Sequence, residues 1–266
     1  MSEIKKRVLV AIAGIPALLA ILYYGGYSLV ALFLTASAIG FYEYRKMMKN
    51  VNIQIGFGWV LLNIGIFLSL ISFRTYDMVI LWLLFIAIVL SSMLLWSRDK
   101  SVLPMLATFF GIIYTGFLPA LIVRIGLDYS AQKILLALIL MIWIVDSVAY
   151  FVGMRFGKHR NVTEISPMKS MEGFIAGALV PYVILGLYLL SEMRPISSLN
   201  ALLICFAAGV VGQLGDLCES MLKRFCGVKD SSGLIPGHGG VLDRMDSLLL
   251  AGSFMYVAIK LFTIVR

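Results

Sequence analysis

Between residues 229 and 246 the chain reads KDSSGLIPGHGGVLDRMD. The stretch carries the charged residues Lys229, Asp230, Asp243, Arg244 and Asp246, one of two histidines in the chain (His238), and five residues that are glycine or proline. Asp243 and Asp246 stand three apart and lead straight into an apolar run. Asp216 closes the preceding apolar run, in GVVGQLGDLCESMLKR. If that helix continues, Glu219, Ser220 and Lys223 follow Asp216 on one face. Asp216, Asp243 and Asp246 therefore meet at the ends of consecutive apolar segments. Hard divalent cations such as Mg2+ take oxygen ligands of this kind, usually a few carboxylates plus substrate phosphates. A blander reading makes the three acids helix-end charges paired with Arg224 or Arg244, but three converging acids need more than one partner. Lys223, Arg224, Lys229 and Arg244 surround them as candidate phosphate binders. Gly237, Gly239 and Gly240 let backbone N–H groups come close to a phosphate and adopt positive φ. His238 alone would read as a hydrogen-bonding loop residue, but inside this turn it is a functional candidate. Acids for a metal, bases for phosphate and a glycine-rich turn together point to a phosphorylated substrate handled with Mg2+, with a second cation left open.

A second set of residues lies upstream. Asp146 sits in LILMIWIVDSVAYFVG with apolar residues on both sides. A carboxylate at the centre of a membrane span costs on the order of 3 kcal/mol on insertion scales, so it faces a cavity or a partner. It either lines the polar site or pairs with another helix to fix packing. The loop FGKHRNVTEISPMKSMEGFIAGALV offers Ser166 and Lys169 near the membrane surface, for lipid headgroups or a specific phosphate. Ser166-Pro167 reads as a helix start with Glu172 in the first turn. His159 reads as a surface loop residue. Glu3, Glu43, Asp77, Asp99, Asp128, Glu164 and Glu192 read as solvated acids of loops and tails.

The elements that must position these residues follow from composition. Of the 266 residues, 61% are hydrophobic and 14% charged, against roughly 25% charged in soluble chains; the mean hydropathy is +0.98. Apolar runs of about 18 to 20 residues recur, each long enough for roughly 30 Å of hydrocarbon. Long runs without period-2 alternation exclude an outer-membrane barrel. The expectation is an all-α polytopic membrane protein of about nine transmembrane helices, near 8–24, 28–42, 57–73, 78–96, 102–123, 132–153, 172–190, 199–217 and 247–265. With the N-terminus in the cytoplasm and strict alternation, 16 of the 22 Lys and Arg fall on the cytoplasmic side, as topology by positive charge requires. Both polar loops, 154–171 and 218–246, then share that face, which predicts a polar cavity open to the cytoplasm. The net charge of +8 is explained by this asymmetry, and no basic, aromatic-interleaved surface suggests nucleic acid. The N-terminal apolar run lacks a convincing small-x-small cleavage site and reads as an uncleaved first span. Cys205, Cys218 and Cys226 form no C-x-x-C pair and are assigned to neither metal nor catalysis. Residues 1–100 hold spans without a motif, 101–130 a middle span that is a candidate dimer contact, and 131–266 the catalytic region.

The run from Ser220 through Lys223-Arg224, Lys229-Asp230, Pro236 to Gly240, Asp243-Arg244 and Asp246 resembles the signature of phosphatidate cytidylyltransferases, also called CDP-diacylglycerol synthases. Upstream, Asp146, Tyr150, Gly153, Gly157-Lys158, Ser166-Pro167, Lys169-Ser170 and Glu172-Gly173 resemble a second block of that family, so the likeness spans roughly 143–250. The resemblance implies that CTP and phosphatidate become CDP-diacylglycerol and pyrophosphate with Mg2+, in the cytoplasmic (inner) membrane, with the active site toward the cytoplasm, in a chain that forms a homodimer. Under it Asp216, Asp243 and Asp246 would hold the metal. Lys223, Arg224, Lys229, Arg244, His238, Gly237, Gly239, Gly240, Lys169, Ser166 and Asp146 would serve the substrates. The rivals are a CTP-dependent lipid kinase, a cytidylyltransferase acting on an ether lipid, and an ion-coupled transporter using Asp146. No repeat of two related halves supports the last.

Overall fold

An apolar segment in hydrocarbon has no water to satisfy its backbone, so it must close its hydrogen bonds within itself, and the α-helix does so. The computed structural model describes residues 3–72, 76–96, 101–160, 165–192 and 194–264. Among these the regular elements are all helical: α1 Glu3–Tyr24, α2 Gly26–Lys49, α3 Gly58–Ser72, α4 Tyr76–Trp96, α5 Leu103–Ile112, α6 Leu118–Asp128, α7 Ile134–Phe156, α8 Met171–Leu190, α9 Ser198–Phe206, α10 Gln213–Phe225 and α11 Asp246–Ile264. Two π-helical turns, Ile113–Phe117 and Ala207–Gly212, join α5 to α6 and α9 to α10.

Six stretches of the described residues are long and apolar enough to cross a membrane: Gly26–Lys49, Leu103–Asp128, Ile134–Phe156, Met171–Leu190, Ser198–Phe225 and Asp246–Thr263. The chain is thus a multi-pass helical membrane protein. Three of the nine expected segments give shorter apolar stretches, Ile12–Tyr24, Gly58–Ser72 and Ile80–Val89. The second span runs on to Lys49, past its expected end, and two others run further than the sequence suggested by passing through a π-helical turn. The fifth continues through its π turn to Asp128, and the eighth continues to Phe225. The extension of the eighth span meets the condition for Asp216, Glu219, Ser220 and Lys223 to share a face. The start of α8 lies later than Ser166: Ser170 is the N-cap, and its hydroxyl accepts the Gly173 N–H at 3.1 Å. Leu103–Asp128, within the segment expected as a dimer contact, is the most enclosed of the six, with 61% of its most apolar 18-residue window buried within the chain.

Small residues let the helices approach, as membrane helices require when no hydrophobic force drives them together. A Cβ at Gly173 of α8 would lie 2.6 Å from the Ala149 carbonyl of α7, one at Gly215 of α10 2.7 Å from the Asp246 carbonyl of α11, and one at Gly252 of α11 2.6 Å from Ile122 of α6. The first two contacts bring the functional loops and acids together; the third seats α11 on the core. Polar side chains add to this. Asn63 of α3 is fully buried and donates to the Ser37 hydroxyl of α2 at 2.9 Å. Asp128 is not the solvated acid expected: it pairs with Arg124 at 2.9 Å and Lys260 at 3.4 Å, tying α6 to α11. Glu192 is exposed as expected. Of the other acids read as solvated, the side chains of Glu3, Asp77, Asp99 and Glu164 lie outside the described residues.

Gly252→Val should lower stability in detergent by about 1 to 3 kcal/mol, the usual range for overpacking, read as a fall in melting temperature beside Gly186→Ala, where a Cβ meets nothing within 4 Å.

Candidate functional site

The glycine-rich loop between α10 and α11 folds by local rules at its tip. The His238 N–H donates to the Ile235 carbonyl at 2.9 Å, closing a four-residue turn over Pro236-Gly237. Proline fixes φ at the first central position, and Gly237, at φ 75°, supplies the left-handed second one. Gly239 follows at φ 83°, and the Ile235 N–H donates back to its carbonyl at 2.8 Å. The amides of Gly237 and Gly239 have no acceptor among the described residues.

The base of the loop is held by two carboxylates. Asp243 is 7% exposed; its Oδ2 accepts the Ser231 N–H at 2.8 Å, the Ser231 hydroxyl at 2.7 Å and the Gly240 N–H at 2.8 Å. Burial alone would raise its pKa, but the Lys223 ammonium and the Gly240 and Ser231 donors outweigh that and hold it below the usual carboxylate range. The second is Glu43 of α2, 2% exposed, which accepts the Val241 and Leu242 N–H groups at 3.0 Å each and the hydroxyls of Ser231 and Ser232. Gly240 has no room for a side chain: a Cβ would run into the Ser231 hydroxyl and Glu43 Oε1.

Asp243 Oδ1 faces the Lys223 ammonium at 2.6 Å, and the same ammonium lies 2.5 Å from Glu219 Oε2, one turn back on α10. Glu219 is fully buried, and among the described residues no hydrogen-bond donor reaches its Oε1. Asp216, on the exposed side of this cluster, pairs with Lys169 of the loop before α8. Asp246 accepts the Ser247 N–H at 2.6 Å. Asp146 is exposed on α7, and Asp146, Asp216 and Asp246 are near enough for each to feel the others' charge. The carboxylates of Asp146, Asp216, Glu219, Asp243 and Asp246 thus share two ammonium groups, Lys169 and Lys223. Among the described residues no three His, Cys, Asp or Glu side chains form a ready cage for a metal. A surplus of carboxylate oxygens with one buried oxygen undonated nevertheless suits a hard cation. Mg2+ in particular is bound through one or two carboxylates plus substrate phosphates rather than by an all-protein cage.

Sequence spacing and structure agree on the neighbourhood and differ on its division. Asp216 and Asp246 stand in the acidic group with Asp146 beside them, whereas both oxygens of Asp243 hold Lys223 and the loop. Lys223 is 12% exposed and locked between two acids. The Arg224 guanidinium donates to the Val228 carbonyl at 3.1 Å and the Ile165 carbonyl at 3.4 Å, joining the two polar loops. Lys229 and Arg244 are exposed with no ionic partner among the described residues, and His238 is half-buried with Nδ1 3.3 Å from the Pro236 carbonyl. Ser166 lies beside Ile165 on the same loop as Lys169. His159 is exposed as expected, its ring 2.7 Å from Glu172 at the start of α8. Two pockets near the C-terminal end of α2, both lined by Arg45 and Lys49, include no carboxylate. Sequence reasoning missed Glu43, Ser231 and Ser232. Glu43 falls in register with Gly40 and Met47, both buried, and that spacing was a legible sign that it faces inward.

A model of the cytidylyltransferase family matches residues 5–262. A phosphatidate cytidylyltransferase of Bacillus subtilis is 47% identical over 123 residues, 46% of each chain, so the chain spans about half the length of that relative. Its namesake in Thermotoga maritima is 37% identical over 186 residues, 67% of this chain and 68% of the relative. Another, of Haemophilus influenzae, is 34% identical over 285 aligned positions, 94% of this chain and 96% of the relative.

Asp243→Asn removes one charged acceptor and leaves Lys223 with Glu219 alone. At about pH 7 it should cost about 1.5 to 3 kcal/mol, the range for hydrogen bonds to charged groups. A carboxyl with a lowered pKa stabilises fully above the ordinary carboxylate range and loses that contribution as pH falls through the folded value. The gap in melting temperature between wild type and variant should therefore be widest near neutral pH and narrow in acid.

Proposed function

The chain belongs to the cytidylyltransferase family, and on that footing we propose that it is an integral-membrane nucleotidyltransferase converting CTP and phosphatidate to CDP-diacylglycerol and pyrophosphate. The observation that carries this reading is the glycine loop, pinned at its base by Glu43 and Asp243, next to an acidic group with more carboxylates than cations.

The nucleophile is the phosphate of phosphatidate. A phosphate monoester has a second pKa near 6 and is mostly dianionic at pH 7, so no general base is required. Its oxygen forms a bond to the α-phosphorus of CTP as the bond to the β-phosphate oxygen breaks and pyrophosphate departs. Catalysis is then a matter of positioning anions against one another. Lys229, Arg244, His238 and the amides of Gly237 and Gly239 receive the nucleotide phosphates. Ser166 and Lys169, on the loop before α8, serve the lipid phosphate. Lys223 stays between Glu219 and Asp243 as a fixed counter-charge, and Arg224 keeps the two loops in register. Asp216 and Asp246, with Asp146 beside them, would hold Mg2+, which when bound neutralises charge at the α-phosphate and the leaving pyrophosphate. A second cation has the undonated oxygen of Glu219 available to it.

Nine spans, a cytoplasmic N-terminus and a site facing the cytoplasm belong to the same reading, supported by the 16 to 6 division of Lys and Arg between the two sides. A homodimer is the assembly that goes with it.

Purified protein in detergent, given phosphatidate, Mg2+ and CTP labelled at either the α- or the γ-phosphate, should carry the α label into lipid and release the γ label in pyrophosphate. The γ label in lipid would make the enzyme a CTP-dependent lipid kinase, and movement of neither label would refute the substrates. Asp246→Asn should lower kcat about a hundredfold or more, the scale for losing one group that stabilises transition-state charge; full activity with unchanged Mg2+ dependence would remove Asp246 from the metal site.

A further inference from the structure

We propose that Glu43 is a positioning residue for the nucleotide: its carboxylate, on α2, fixes the shape of the glycine loop that receives the phosphates. The inference rests on the reading that this loop binds CTP.

Among the described residues four donors reach the Glu43 carboxylate, and all belong to the loop. Ser232 Oγ at 2.5 Å and the Val241 N–H at 3.0 Å go to Oε1; Ser231 Oγ at 3.3 Å and the Leu242 N–H at 3.0 Å go to Oε2. Each oxygen thus takes one donor from where the loop enters and one from where it leaves. The carboxylate works as a clip across the base, and the turn at 235–239 is the part left outside it. A buried carboxylate is tolerated only when its oxygens are satisfied, so the acid and the loop fix each other.

The clip also determines which amides are free. Glu43 takes the N–H groups of Val241 and Leu242, and Asp243 takes that of Gly240. The unbonded amides of the turn, Gly237 and Gly239, flank His238 and belong to residues with positive φ, an arrangement of backbone suited to anions. The floor beneath is equally close-fitting: a Cβ at Gly40, one turn before Glu43, would lie 3.0 Å from the Leu242 side chain. Asp243 shares Ser231 with Glu43 but is tied to Lys223, so it reports to α10 and the acidic group. Glu43 is the anchor that reports to α2.

The test is steady-state kinetics of the full-length enzyme with each substrate varied in turn, for wild type, Glu43→Gln, Glu43→Ala and Ser232→Ala, with melting temperatures alongside. Glu43→Ala should raise KM for CTP about tenfold or more, Glu43→Gln by less, and Ser232→Ala about two- to fivefold, in line with one lost hydrogen bond. KM for phosphatidate should stay within about twofold. A role confined to folding would lower the yield and melting temperature and leave KM for CTP unchanged in the enzyme that survives; that result, or a parallel rise of both KM values, would overturn the proposal. Should Glu43→Ala fail to fold, Glu43→Gln and Ser232→Ala decide by the same criterion. Wild-type protein that does not turn over CTP would sink the nucleotide reading and this inference with it. Turnover with KM for CTP indifferent to all three substitutions would sink this inference alone.

Discussion

The ammonium of Lys223, 12% exposed between the carboxylates of Glu219 and Asp243, is the interaction on which the rest of the site depends. Two carboxylates that close would repel each other in a poorly solvated setting, and removing one partner of a buried pair costs about 3 to 5 kcal/mol. With the lysine in place the charges become a bridge. Glu219 fixes the ammonium to α10, Asp243 carries the link into the loop, and Ser231 passes it to Glu43 on α2. A chain of polar contacts thus runs from a helix early in the sequence to the helix bearing Asp216, and the glycine turn hangs from its middle.

What could be read from the sequence was the part governed by local rules. The face shared by Asp216, Glu219 and Lys223 follows from the helical period once the helix is known to continue, and the turn at Pro236-Gly237 follows from what those two residues allow. The apolar runs announce the membrane, although their lengths blur where π turns prolong a span past its expected end. Contacts across large separations were not legible. Nothing near Glu43 announces that its donors come from residues 231, 232, 241 and 242, and nothing near Lys169 names Asp216 as its partner. Asp243 shows a different difficulty: its spacing from Asp246 gives no sign that its oxygens meet the Lys223 ammonium and the Ser231 and Gly240 N–H groups.

The π-helical turns bear on the site as well. Such turns are rare and recur at functional positions, because one extra residue per turn re-aims the side chains that follow. The turn at Ala207–Gly212 immediately precedes α10, so it sets the direction in which Asp216 and Glu219 project. The turn at Ile113–Phe117 carries Tyr114, whose hydroxyl is buried without a hydrogen-bond partner among the described residues and near enough to Glu219 and Asp246 to feel their charges. Most residues of both irregular turns are buried (Tyr114, Thr115 and Gly116 in one, Ala207, Ala208, Gly209 and Gly212 in the other), and backbone away from ideal α geometry is tolerated where it is enclosed by protein.

The clip at Glu43 has a consequence for biogenesis. The helix that carries the acid leaves the ribosome long before the loop that satisfies it: between 188 and 199 residues separate Glu43 from its donors. At typical synthesis rates of about 5 to 20 residues per second, the wait is on the order of 10 to 40 s. Throughout it the carboxylate of α2 waits without the loop donors that satisfy it in the folded chain. Synthesis of the first half and completion of the candidate site are therefore separated in time, and the loop takes its shape in one late step, when it closes onto a helix that was made first.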